Sequence, residues 1–145
     1  MKVLIEKINI EQEEEFIIRC HEVDDDILRL VNQVSNNSTV LLGYDGDKIF
    51  RIKYRDVYYF EAVDNRTFIY CKDKVYESKQ KLYEIEALCE GRQFFRASKS
   101  SIINITKISF ITPSLSGRFE AKLENGESVV VSRQYVPILK KMLGI

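Results

Sequence analysis

The sequence predicts a mainly β fold with short helices, preceded by a short β-β-α segment at the N-terminus. Three observations carry this reading. Eight Phe and eight Tyr, with no Trp and only two Pro, sit mostly in β-branched runs, and such residues suit a pleated, half-buried surface. From Thr39 onward apolar and polar residues alternate over several short stretches, which is the period of a strand. Two dipeptides, Asp45-Gly46 and Asn125-Gly126, are of the kind that closes hairpins because they tolerate positive φ. With 145 residues, 45% of them hydrophobic and 30% charged, the chain is long enough to bury a core, which excludes global disorder.

Taken in order, residues 2–10 (KVLIEKINI) alternate and read as a strand, and Glu15–Cys20 (EFIIRC) as a second. Asp24, Asp25 and Asp26 then precede Ile27, Leu28, Leu30, Val31 and Val34. That is a helical stripe with acids in its first turn, where the helix dipole favours them; Asn36-Asn37-Ser38 ends it. Asp45-Gly46 turns a hairpin between Leu41/Leu42 and Ile49/Phe50. Val57–Ala62 and Thr67–Cys71 are strands around a polar loop, Asp64-Asn65-Arg66, and Val75–Glu77 is a third piece. Leu82, Ile85 and Leu88 stand at helical spacing, with Gly91 placed to stop the helix. Ile102–Ile105 is apolar, Arg118–Leu123 and Ser128–Val131 are strands joined at Asn125-Gly126, and Val136–Leu143 is a closing helix with Pro137 in its first turn. The division expected is residues 1–40 as the β-β-α segment and 41–145 as the β domain.

Charge is unevenly placed. Lys+Arg and Asp+Glu are each 22, but residues 1–40 hold four basic and nine acidic residues, a net of −5. The remainder holds 18 and 13, a net of +5. Such asymmetry points to a partner rather than to a fold. No apolar run approaches the roughly 18–20 residues that span a bilayer, and the acidic N-terminus lacks the apolar core of a signal peptide; the expectation is a cytoplasmic protein without membrane insertion. Cys20, Cys71 and Cys89 are odd in number, widely spaced and in no CxxC or Cys/His cluster, which fits a reduced compartment and gives no zinc site. The one histidine, His21, has no catalytic setting, and no nucleophile, phosphate-loop or dinucleotide motif occurs. The chain is therefore read as neither an enzyme nor a cofactor or metal binder. Asp24–Asp26 is read as a charged first helical turn rather than a Mg²⁺ site.

Three polar, basic stretches punctuate the β scaffold: Arg66-Thr67, Arg96 to Ser101, and Ser132-Arg133-Gln134. Arg and Lys suit phosphates or the N7/O6 edge of guanine, Gln pairs with adenine, and Ser or Thr bonds phosphate oxygens. Loops on a rigid scaffold are where binding residues concentrate, although by composition alone a solvated surface is the better reading.

The segments DVYYFEAVDNRTFIY, KLYEIE, FFRASKSSIIN and SVVVSRQYVPILKK, in this order from about Gly43 to the C-terminus, resemble the LytTR DNA-binding domain of bacterial transcription regulators. The resemblance implies sequence-specific binding of double-stranded DNA by loops that enter successive major grooves, typically over promoter direct repeats, in a response-regulator-like transcription factor. It implies a first contact loop after Glu61, carrying Asn65, Arg66 and Thr67; a second between Arg96 and Ser100, where Lys99 stands; and a third at Arg133 and Gln134. Arg66, Lys99 and Arg133 are the expected groove or phosphate contacts, Ser100 and Gln134 secondary ones. Arg96 and Asn104 fit the motif either as contacts or as bonds to loop backbone, and Glu61 as scaffold partner to a buried Arg. Ser98 stands where the family often has His, and Gln134 where it often has a second basic residue. The short N-terminal part resembles that of stand-alone members without a receiver domain. It either completes the core or pairs two chains into a homodimer through strand edges or the Ile27/Leu30/Val31/Val34 face. The alternative from another class is a protein-interaction module on the same scaffold with weak DNA affinity.

Overall fold

The computed structural model describes residues 1–35 and 40–145, in two units, Met1–Asn37 and Ser38–Ile145. In the first, helix α1 (Asp25–Ser35) forms as its pattern requires. Asp24 caps it, its carboxylate accepting from the Ile27 amide at 2.9 Å, and Asp25 and Asp26 fill the first turn. The expected stop at Asn36-Asn37-Ser38 lies outside the described residues. The two N-terminal strands are not formed: residues 2–10 and 15–20 carry no ladder. Alternation gives a segment two faces but no partner, and an unpaired strand leaves its backbone groups to water. Val3 and Ile5 accordingly stand 82% and 91% exposed.

The second unit is built of antiparallel strands: β1 (Val40–Asp45), β2 (Lys48–Lys53), β3 (Val57–Val63), β4 (Arg66–Cys71), β5 (Val75–Ser78), β6 (Phe94–Arg96), β7 (Ser101–Asn104), β8 (Ile108–Pro113), β9 (Phe119–Leu123) and β10 (Ser128–Val131), with helices α2 (Leu82–Leu88) and α3 (Val136–Leu143). Seven strands form one sheet in the order β2-β1-β5-β4-β3-β7-β6, and β10-β9-β8 form a second. Strand β8 was not foreseen; it is a largely exposed edge strand ending on Pro113, so it shows no apolar alternation and tolerates the proline.

The main sheet is covered on both faces, which is why consecutive residues of β3 and β7, 57–60 and 102–103, are apolar and buried rather than alternating. Phe60, Ile69 and Ile102 pack with Leu82 and Ile85 of α2 on one side. Tyr59, Phe95 and Ile103 pack with Ala121, Leu123, Val129, Val131 and Leu139 of the small sheet and α3 on the other. Tyr59 ties the two sheets: its ring stacks on Tyr70 at 4.2 Å, and its hydroxyl donates to Glu127 at 2.6 Å. Burial first, then that bond to a carboxylate, pushes its ionisation far upward, so it remains a donor.

Both hairpin dipeptides turn hairpins. Gly46, at φ 60°, closes β1 on β2, with Asp45 opposite Lys48. Gly126, at φ 90°, ends a three-residue loop whose Leu123 amide bonds the Glu127 carbonyl at 2.8 Å, the arrangement of a turn followed by a glycine bulge. Gly43 serves packing instead. A Cβ there would run into the Ile52 side chain and stand 2.8 Å from Cβ of Tyr76. Gly43→Ala is expected to lower stability by about 1–3 kcal/mol, the usual cost of overpacking, as a reduced urea midpoint with unchanged slope.

Cys71 is half-buried, Cys89 buried and Cys20 exposed. Burial pushes the Cys71 thiol up to about 11 and the Cys89 thiol up to about 12. Thiolate is the reactive form, so neither is poised for redox chemistry at neutral pH. Iodoacetamide at pH 7.5 is expected to alkylate Cys20 well before the other two, which react readily only after unfolding. Timed intact-mass spectra check this; equal rates in the native protein would contradict it.

Candidate nucleic-acid interface

The loops singled out in the sequence meet because the sheet register puts them at one end. Strand β3 runs toward Val63 and turns through Asp64 and Asn65 into β4, with Val63 opposite Arg66. Both turn residues have positive φ, 50° and 63°, the two-residue hairpin that Asp and Asn tolerate. Strand β7 begins at Ser101 opposite Glu61, so the β6–β7 turn lies at that same end of β3. The Ala62 amide donates to the Ser100 carbonyl at 2.8 Å, fastening that turn to the β3–β4 hairpin. On the other side the Ser132 amide donates to the Ala97 carbonyl at 2.8 Å. A continuous chain of backbone bonds thus joins the three segments.

The tight hairpin has a consequence for its side chains. Arg66 is the first residue of β4 rather than a loop residue, and Thr67 the second. Strand residues alternate faces, so Thr67 points inward with Ile69 and is only 4% exposed. Thr67 therefore drops out of the candidate contacts. Asn65 stands exposed at the hairpin tip, and Arg66 is exposed. Arg66 already has a partner: its Nε and Nη2 donate to the two carboxylate oxygens of Glu77 at 3.0 and 2.8 Å. That hydrogen bond holds the Glu77 carboxyl below the ordinary glutamate range, so the pair is formed at neutral pH and is lost only as pH falls through that lowered value.

The middle turn is shaped by Arg96. Its Nε donates to the Ser98 carbonyl and its Nη2 to the Lys99 carbonyl, both at 2.6 Å. Its Nη1 donates to Glu86 of α2 at 2.6 Å. The Ser98 hydroxyl lies 3.3 and 2.8 Å from those of Ser100 and Ser101. Lys99 and Ser100 are thereby presented outward, both exposed. Asn104 is a second structural member of the motif: Nδ2 donates to the Val57 carbonyl at 2.8 Å, and Oδ1 accepts from the amide and hydroxyl of Thr106. Of the two readings left open for Arg96 and Asn104, the geometry gives backbone bonding. The expected pairing of Glu61 with a buried Arg is not among the ion pairs of the described residues, where Arg66 pairs with Glu77 and Arg96 with Glu86. Lys79 lies 4.4 Å over the Tyr44 ring.

Arg133 and Gln134 are exposed in a 3₁₀ turn, Arg133–Tyr135, directly after Ser132. Beside them is a segment the sequence reading missed, the β8–β9 loop. Ser116, Arg118, Val130, Ser132, Arg133 and Gln134 line an open concavity of about 600 Å³. The Ser-Gly turn signal at 116–117 ahead of a basic residue was the available clue. Among the described residues the ion pairs fall on Arg29, Arg66, Lys74 and Arg96, leaving the Lys99, Arg118 and Arg133 cations outside them. Also among the described residues, no three His, Cys, Asp or Glu side chains gather to hold a metal ion, and no helix is long and apolar enough to cross a membrane.

Comparison with known proteins gives the same region an identity. Residues 47–144 match the LytTr DNA-binding domain family. The chain is 31% identical over 99 residues to the sensory transduction protein LytT of Enterococcus faecalis, covering 68% of this chain and 41% of that protein. It is 27% identical over 141 residues to an uncharacterized HTH-type transcriptional regulator of Staphylococcus aureus, covering 95% of each. The solved LytTr DNA-binding domain of a Bacillus cereus protein superposes with a TM-score of 0.70 at 30% identity, over 74% of this chain and 98% of that one.

Proposed function

This chain belongs to the LytTr DNA-binding domain family, and on that premise we propose that it reads specific duplex sequences through the three linked loops, set into successive major grooves on one face of the DNA. Asn65 comes from the first loop and Arg66 from the β4 start directly after it, Lys99 and Ser100 from the second loop, and Arg133 and Gln134 from the third. The single observation that carries this is the backbone chain from Ala62 to Ser100 and from Ala97 to Ser132. It makes three turns far apart in sequence one rigid rim with exposed cations at its middle and end. A preorganised rim loses little entropy on binding, and Lys and Arg at its tips supply the salt-dependent phosphate term while Arg and Gln carry base readout. The reading places the protein in the bacterial cytoplasm as a transcription regulator.

The test is selection from a random-sequence duplex pool with the full chain, followed by salt titration of the recovered duplex. Specific binding is expected, with log K falling linearly against log salt and several ions released. Recovery of no sequence, or a salt-insensitive association with a protein instead, would favour the interaction-module alternative.

We also infer that residues 1–35 pair two chains on direct repeats. Leu4, Phe16 and Leu28 are exposed, whereas Ile27 of the helical face considered for pairing is buried, and the net −5 of residues 1–40 disfavours contact with phosphates. Joining two domains multiplies affinity through effective concentration. Analytical ultracentrifugation with and without a direct-repeat duplex is expected to show two-chain species; only the 17.0 kDa chain, alone or one per duplex, would reject pairing.

A further inference from the structure

Resting on the DNA-binding reading above, we propose that Gly117, in the β8–β9 loop, is a positioning residue for Arg133 and makes that loop a fourth arm of the interface. The loop contributes no strand and little core, yet it adopts a costly conformation. Ser116 and Gly117 both have positive φ, 62° and 76°, a region that L side chains avoid. What this geometry achieves is a close approach to Arg133. A Cβ built on Gly117 would stand 3.0 Å from Cδ of Arg133 and 3.1 Å from Cγ, tighter than ordinary packing. The missing side chain is the seat on which the aliphatic stem of Arg133 lies.

That seat matters because it bears on the stem of a side chain that no ion pair among the described residues holds. Arg133 is exposed, at the start of a 3₁₀ turn. A long stem lying on a surface keeps its charged head in water but limits where it can point. Arg133 fixed this way forfeits less rotamer freedom on meeting DNA. Gly126 provides the internal contrast. It has positive φ, 90°, yet a Cβ there would meet nothing within 4 Å. The two glycines share the backbone demand, and only Gly117 also carries a neighbour's side chain.

The experiment uses the full chain and the duplex recovered by selection. Gly117→Asn is the chief variant, because Asn tolerates left-handed φ while adding a Cβ; Gly117→Ala and Gly126→Ala accompany it. Gly117→Asn is expected to weaken DNA binding about tenfold with its melting curve close to the parent's. Gly126→Ala should lose stability without that loss of affinity. In an Arg133→Ala background, Gly117→Asn should have no further effect on affinity, because its action runs through Arg133. Unchanged affinity for Gly117→Asn, or the same loss with and without Arg133, would overturn the positioning role. A parent chain that binds no duplex would overturn the DNA-binding reading and this one together.

Discussion

Lys99→Ala and Arg133→Ala should each weaken binding to the selected duplex by about 1–3 kcal/mol, while circular dichroism and the melting temperature stay at parental values. Neither side chain has an ion-pair partner among the described residues, so removing either costs the fold little; exposed substitutions of this kind stay within about 0.5 kcal/mol. The double variant should lose affinity by several orders of magnitude and lower the slope of log K against log salt by about one for each phosphate contact removed. Arg66→Ala is expected to cost less affinity than either. Its guanidinium is already satisfied by Glu77, so engaging DNA means exchanging one anion for another. Fluorescence anisotropy at three or more salt concentrations ranks the variants. Parental affinity for both Lys99→Ala and Arg133→Ala would remove these residues from the interface. A flat salt slope in the parent would remove phosphate contact from the mechanism.

What was legible in the sequence was whatever local chemistry decides. Asp45-Gly46 and Asn125-Gly126 announced their turns, and Leu82, Ile85 and Leu88 announced α2, because a turn dipeptide or a helical stripe needs no distant partner. Residues 2–10 show the converse. Val3 and Ile5 alternate correctly, but a strand exists only where another strand bonds it, and none of the described residues does so. Thr67 lies between these cases. Its motif position suggested a loop contact, whereas the two left-handed residues Asp64 and Asn65 shorten the turn and draw Thr67 onto the face of Ile69. Given a two-residue turn, strict alternation would have placed it inside. In the β8–β9 loop the Ser-Gly pair marked a turn, but the approach of Gly117 to Arg133, sixteen positions along the chain, is a contact that no local pattern records.

The loss of Arg96 should show most sharply how the rim is built. Its guanidinium bonds two carbonyls of the turn it serves and one carboxylate of α2, all at 2.6 Å, and its side chain is only 20% exposed. Charge-assisted bonds contribute about 1.5–3 kcal/mol each, and orphaned partners add their own penalty. Arg96→Ala should therefore lower stability by about 2–4 kcal/mol and cut DNA affinity at least as far as Lys99→Ala, since the turn presenting Lys99 and Ser100 loses its fixed shape. Arg96→Lys should recover little of either, because one ammonium cannot reproduce the planar fork that reaches Ser98, Lys99 and Glu86 together. Glu86→Gln, which keeps both carbonyl bonds, should fall between the parent and Arg96→Ala. Urea unfolding gives the stability term, and hydrogen exchange should speed up at the amides of Ala97 and Ser98, which both bond the Ser101 carbonyl. A variant Arg96→Ala that unfolds like the parent yet no longer binds DNA would make this arginine a direct contact, and the rim would then need another explanation for its shape.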